Sequence, residues 1–291
     1  MKRFLSSCPT CVMFVLLASL LAVPAVDADV MGSIFLTGHD PDFHANEGAN
    51  ALGAQHINQA AINFIMNPTF NPFVAGGDKQ FLFVECDTCP VPAGHVDGVP
   101  GINGSLPGFP AGTTFETHGA ADGLATALTQ LGTKYSAIVI GSDFGGMLTQ
   151  ADLSLLDADS AGIVSFLNNG GGLYAMAETA PAENGLASTG FYGFLPFVVS
   201  ASPLNLAETG YTLTPFGVSL GLTTTDINGN FSHNVFTSAG GLNIVDLNPG
   251  KEIVSLAGRG KVPVVPEPGS VVLLGSVLLV VGALVRRKIK A

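Results

Sequence analysis

Four short stretches, SIFLTG (33–38), QFLFVE (80–85), SAIVIGS (136–142) and LYAM (173–176), carry apolar residues at consecutive positions. An extended chain turns successive side chains to opposite faces, so a run without alternation buries both faces. Segments of helical spacing lie between these runs: Ile57, Ala61, Phe64 and Ile65, halted at Pro68; Leu124, Leu128 and Leu131; then Leu156, Ile163, Val164 and Leu167. Thr149 and Asp152 give the last of these a Thr-x-x-Asp start, and glycines 170–172 a stop. Strands buried on both faces and separated by helices predict an α/β fold, a parallel sheet with helices on either side. Past about residue 198 the pattern changes to GYTLTPFGVSLGL (210–222), GGLNIVDL (240–247) and EIVSLAG (252–258). These predict a C-terminal β extension. GHDPDFHANEG (38–48) reads as a loop with an Asx-type turn, and 87–112 as a long glycine- and proline-rich loop.

Such a sheet places ligands beyond the carboxyl ends of its strands. The residues that follow the four runs are His39, Asp40, Asp42, His44 and Glu47; Glu85 and Asp87; Asp143; and Glu178. Carboxylates brought together without a cation raise one another's pKa. His39, Asp40, Asp42 and His44 are therefore the expected metal ligands if an ion is bound, with Ca²⁺ suited to the carboxylates and Zn²⁺ to the His/Asp mixture. Turn chemistry alone is the competing reading, because no diagnostic spacing such as His-Glu-x-x-His occurs. His95 and His118 are expected in solvent. LDADSAG (156–162) imitates a calcium loop but has Asn168 at its twelfth position, and helical spacing runs through it.

The two ends set the compartment. Met1-Lys2-Arg3, the apolar CVMFVLLASLLAV (11–23) and small residues at Ala25 and Ala28 predict a signal peptide over 1–28. Residues 269–285 hold no charge and would form a helix of roughly 26 Å, close to the ~30 Å hydrocarbon core. Arg286, Arg287 and Lys288 behind it belong on the cytoplasmic side. One transmembrane helix is thus expected in 261–291, with an exported domain at 29–260. Between the signal peptide and the apolar tail that opens at Val265, 5 Lys+Arg face 20 Asp+Glu. A body that acidic repels nucleic acid and stays soluble. Outside the cytoplasm Cys86 and Cys89 should close a small local disulfide. A redox pair or a metal pair are the alternatives, but no helix start follows to lower a thiol pKa.

Pro266-Glu267-Pro268, the apolar run and Arg286-Arg287 resemble the PEP-CTERM sorting signal. That resemblance implies recognition at the membrane by exosortase and removal of the tail, then release to the cell surface or an exopolysaccharide matrix. YSAIVIGSDFGGMLT (135–149) and FLNNGGGLYAMAE (166–178) resemble the class I glutamine-amidotransferase-like superfamily, which implies a three-layer flavodoxin-like fold. Ala177 stands where that family has its catalytic cysteine, and His233 in FSHNVF (231–236) resembles its histidine. Without the thiol, acyl transfer has no attacking atom. Two functions follow as expectations. One is a non-catalytic surface protein whose domain binds a glycan or partner. The other is a metal-assisted hydrolase, with His39, Asp42, His44, Glu178 and His233 around an ion that activates water; Glu178, as proton donor, and His233 are its catalytic candidates.

Overall fold

The computed structural model describes residues 32–91, 94–178, 192–195, 199–203 and 209–260. The expected signal peptide and the sorting tail with its transmembrane helix lie outside them. Among the described residues no helix is long and apolar enough to cross a membrane.

Five strands form a parallel block: β1 (Ser33–Thr37), β2 (Gln80–Val84), β3 (Thr114–Thr117), β4 (Ala137–Ile140) and β5 (Gly172–Ala175), in the order β3-β2-β4-β5-β1. The chain returns to this block at its far end. β10 (Ile253–Arg259) pairs antiparallel with β1, Thr37 opposite Ser255, and brings in β6 (Ala201–Pro203), β7 (Thr212–Leu213), β8 (Asn234–Phe236) and β9 (Asn243–Leu247), all antiparallel. The architecture is mixed α/β, with β1 as the seam between the two kinds of pairing.

The apolar runs explain the block. Phe35, Phe81, Phe83, Val139 and Tyr174 point into one core, and Ile34, Leu36, Leu82, Val84, Ile138 and Leu173 into the other. Each such side chain contributes about 1.5–3 kcal/mol when fully buried. The helices, in chain order, are α1 (Pro41–Glu47), α2 (Ala51–Ile65), α3 (Pro72–Ala75), α4 (Val99–Ser105), α5 (Leu124–Leu128), α6 (Gln150–Ala158), α7 (Ser160–Asn168) and α8 (Pro215–Ser219). α2 covers the first face; α5, α6 and α7 cover the second. One polar chain threads the first core: Tyr174 Oη donates to Asn58 Oδ1 at 2.9 Å, and Asn58 Nδ2 donates to the Pro41 carbonyl at 3.1 Å. It fixes the start of α1 relative to β5.

Several local expectations need correction. Residues 41–47 are helical, because proline is tolerated in a first helical turn, where its missing N–H has no partner to lose. The long loop contains α4, again with a proline in its first turn, and leads into β3 at the sheet edge. Within 210–222 only Thr212–Leu213 is extended; Thr214 Oγ1 then accepts the Gly217 N–H at 3.2 Å and caps α8. The helix expected through 156–168 breaks at Asp159 into α6 and α7. The Thr149–Asp152 capping box is present with both of its hydrogen bonds.

Candidate metal centre

β1 ends at Thr37, and the chain then runs against the segment before β8. His39 and Ser232 form an isolated antiparallel bridge, and the His233 N–H donates to the Gly38 carbonyl at 2.7 Å. This places His233 beside residues 38–40 although some 190 positions separate them in the chain. α1 begins immediately after Asp40, so Asp40 and His44 stand one helical turn apart on the same side.

These three side chains converge. His44 Nε2 lies 3.1 Å from Asp40 Oδ1, and His233 Nε2 lies 3.3 Å from Asp40 Oδ2. One ligand atom from each lies within 4.8 Å of the others, and no other group of three His, Cys, Asp or Glu among the described residues does this. All are buried: Asp40 is 1% exposed, His44 8% and His233 4%. Yet both Asp40 oxygens, both His44 nitrogens and His233 Nδ1 lack a hydrogen-bond partner. The contacts are short but not aligned for proton sharing. Each buried orphan costs about 1–3 kcal/mol. Two donors that share a zinc at about 2.0–2.1 Å in a tetrahedron sit roughly 3.3 Å apart, close to each of the two imidazole–Asp40 separations, which involve different oxygens of the carboxylate. The three are the side chains that would hold an ion here. Burial acts to raise the Asp40 pKa, but the imidazoles of His233 and His44 outweigh it and hold the carboxyl below its ordinary range, ionised and ready to ligate.

The loop of residues 143–147 caps the group. The Phe144 ring stacks on His233 with centroids 3.8 Å apart. Gly145 has a φ of 80°, and a carbon added there would lie 2.8 Å from the Phe43 ring and 3.2 Å from Asp40 Oδ2. Only glycine lets the backbone pass so close to the carboxylate in that conformation.

The other rim residues have separate duties. His39 Nε2 pairs with Asp246 Oδ2 at 2.8 Å, outside the cluster. Asp42 accepts the Ser142 N–H at 2.7 Å, the Ser142 hydroxyl at 2.8 Å and the Phe43 N–H at 2.9 Å. It thereby anchors the strand end after β4. Burial pushes its pKa up to about 6, with the Ser142 hydrogen bond opposing and the Asp40 charge adding. So of the four expected ligands, Asp40 and His44 come together and His39 and Asp42 stand beside them. Glu85 is fully buried; its Oε2 accepts the Gly98 N–H at 3.1 Å, its Oε1 is unpartnered, and burial, helped by Asp42 and Asp97, pushes its pKa up to about 10. Glu178 accepts the Tyr192 N–H, and burial holds its pKa well above the ordinary range. Glu47 and Asp87 are exposed, while Asp143 is buried and its N–H donates to the Ala177 carbonyl. Ala177 is itself buried and has no positive φ, so this position presents neither a nucleophile nor a strained turn. Cys86 and Cys89 are joined as a disulfide. His95 and His118 are half-buried and bonded to the Gly146 and Asp122 carbonyls, not free in solvent as expected.

His233 is the member of the cluster that spacing could not join to the other two. Its one signal was the resemblance of FSHNVF (231–236) to a histidine-bearing segment, which marks the position but not its partners. No protein-family model matches this chain, and no curated protein matches it.

Proposed function

We propose that this chain is an exported, surface-delivered metalloprotein whose α/β domain holds one divalent transition-metal ion on Asp40, His44 and His233. The observation that carries the reading is the convergence of three buried side chains, among which both Asp40 oxygens, both His44 nitrogens and His233 Nδ1 have no hydrogen-bond partner. Two imidazoles and one carboxylate suit Zn²⁺ and its neighbours, whereas Ca²⁺ takes six to eight oxygens. Burial of all three donors beneath Phe144 and Gly145 favours an ion that is held over one that turns over substrate. This agrees with a non-catalytic surface or matrix protein that binds a glycan or partner through its domain. A hydrolase is the second reading, favoured by the count of three protein ligands, which leaves a position where a bound water is acidified. In that reading Glu178 transfers the proton. The amidotransferase-like, flavodoxin-like kinship belongs to the same proposal, with Ala177 removing the family's acyl-transfer chemistry. Delivery rests on the N-terminal signal and on the Pro266-Glu267-Pro268 tail, read as an exosortase substrate.

Competition of the purified domain against a chromophoric chelator tests the metal. One zinc per chain is expected, lost by at least about 100-fold in affinity in Asp40→Ala, His44→Ala and His233→Ala. His39→Ala and Asp42→Asn should still bind. Full binding by His44→Ala or His233→Ala contradicts the assignment. A reporter fused before residue 265 checks export; cytosolic activity would overturn it.

A further inference from the structure

We infer that the amino-terminal end of the parallel block is the face this domain lays against an anionic bilayer surface while its tail is anchored. The inference rests on the export reading above, in which residues 269–285 enter the membrane, and it names the surface that meets the lipid. Charge is sorted along the strands. Asp40, Asp42, Glu85, Asp143 and Glu178 all follow the carboxyl ends of strands. The cations gather at the other end: Lys79 and Lys134 stand just before β2 and β4, and Arg259 closes β10 opposite Ser33, the first residue of β1. Lys251, just before β10, is the one described Lys or Arg at the acidic end.

The surface between those cations is built from residues 67–79, which cross the end of the sheet. Asn71 Nδ2 donates to the Ile65 carbonyl at 3.1 Å and to the Ser136 carbonyl at 2.8 Å, which pins the segment under β4. Residues 48–77 contain no Asp, Glu, Lys or Arg in a body this acidic, and Asp78 is the one acid in 67–79. Pro68, Thr69, Phe70 and Pro72 are exposed, Phe70 at 44%. The Arg259 guanidinium lies 3.8 Å from the centre of the Phe70 ring and 4.1 Å from that of Phe64. An exposed aromatic ring beside a cation suits the zone where water meets lipid headgroups. The chain also leaves from this face. The Gly260 N–H donates to the Gly32 carbonyl at 3.4 Å, and residues 261–268 alone separate Gly260 from the uncharged run. Fully extended, that tether reaches roughly 30 Å whatever its path. Docking is then intramolecular, so a weak attraction is enough. Each cation held near an anionic surface favours docking roughly fivefold. The acids, which such a surface repels, then face away from it, with the candidate metal centre among them.

Hydrogen–deuterium exchange of the signal-cleaved chain, its tail intact, in lipid nanodiscs tests this face. Amides of residues 67–79 are expected to exchange about 5- to 10-fold more slowly in discs containing phosphatidylglycerol than in discs of phosphatidylcholine alone. Those of residues 41–47, at the acidic end, should exchange alike in both. The difference should vanish in about 0.5 M salt and shrink in Lys79→Glu. Equal rates over 67–79 in the two kinds of disc overturn the inference. Protection in neutral discs or detergent that grows with protein concentration would assign the face to a second copy of the chain, and overturns it as well. A chain that does not enter the discs at all brings down the anchor itself, a result separable from unchanged exchange.

Discussion

At the scale of single residues, burial decides protonation. Glu85 is fully buried with one oxygen unpartnered, and its pKa stands at about 10 against 4.5 for an ordinary glutamate. Between those two values the native chain holds a proton that the unfolded chain has released, so stability must fall as pH rises through that window. The slope is at most ~1.4 kcal/mol per pH unit, and relaxation around the group reduces it. Glu85→Gln keeps an acceptor for the Gly98 N–H and does not titrate. Urea midpoints at pH 5, 7 and 9 should show this variant gaining on the parent at each step; parallel curves would contradict the buried acid. What could be read from the chain at this scale was uneven. Asp40 and His44 were legible only as two of the four polar residues after the first apolar run; the helix that begins at Pro41 is what sets those two on one side. His39 looks equivalent and is not, since its ring turns to Asp246, a residue that reaches it only through β9.

At the scale of elements, the four consecutive apolar runs are legible because nothing else buries both faces of a short segment. The helices that escape carry a proline in their first turn, Pro41, Pro72, Pro100 and Pro215, where proline signals a turn and a first helical turn equally well. β3 is missed for a different reason: at the edge of the sheet its residues are only partly buried and their apolar content is low. α1 matters most, since it carries His44, and it is steadied from the core by Tyr174, Asn58 and the Pro41 carbonyl. Tyr174→Phe leaves the Asn58 carbonyl oxygen without that donor inside the core. A loss of about 1–3 kcal/mol in denaturant unfolding is expected, together with weaker zinc binding as α1 loosens. A variant with parental stability would show that the chain of bonds does not position the helix.

At the scale of the whole molecule, the site exists because the chain returns. β10 lies against β1, β8 lies against β10, and His233 arrives at the carboxyl end of a strand laid down at the other end of the domain. Local patterns could not announce this meeting: antiparallel pairing across some 190 residues depends on topology, not on spacing. An ion bound there ties the parallel block to its antiparallel extension. Bound at 100 times its dissociation constant it adds about 2.7 kcal/mol to stability, or roughly 5–10 °C in a domain of this size. Anomalous diffraction from zinc-soaked crystals, collected on both sides of the zinc absorption edge, tests the central claim most directly. The expected result is one strong peak at about 2.0–2.2 Å from Asp40, His44 and His233. A map with no peak between those three side chains, from protein that has been offered the metal, would contradict it.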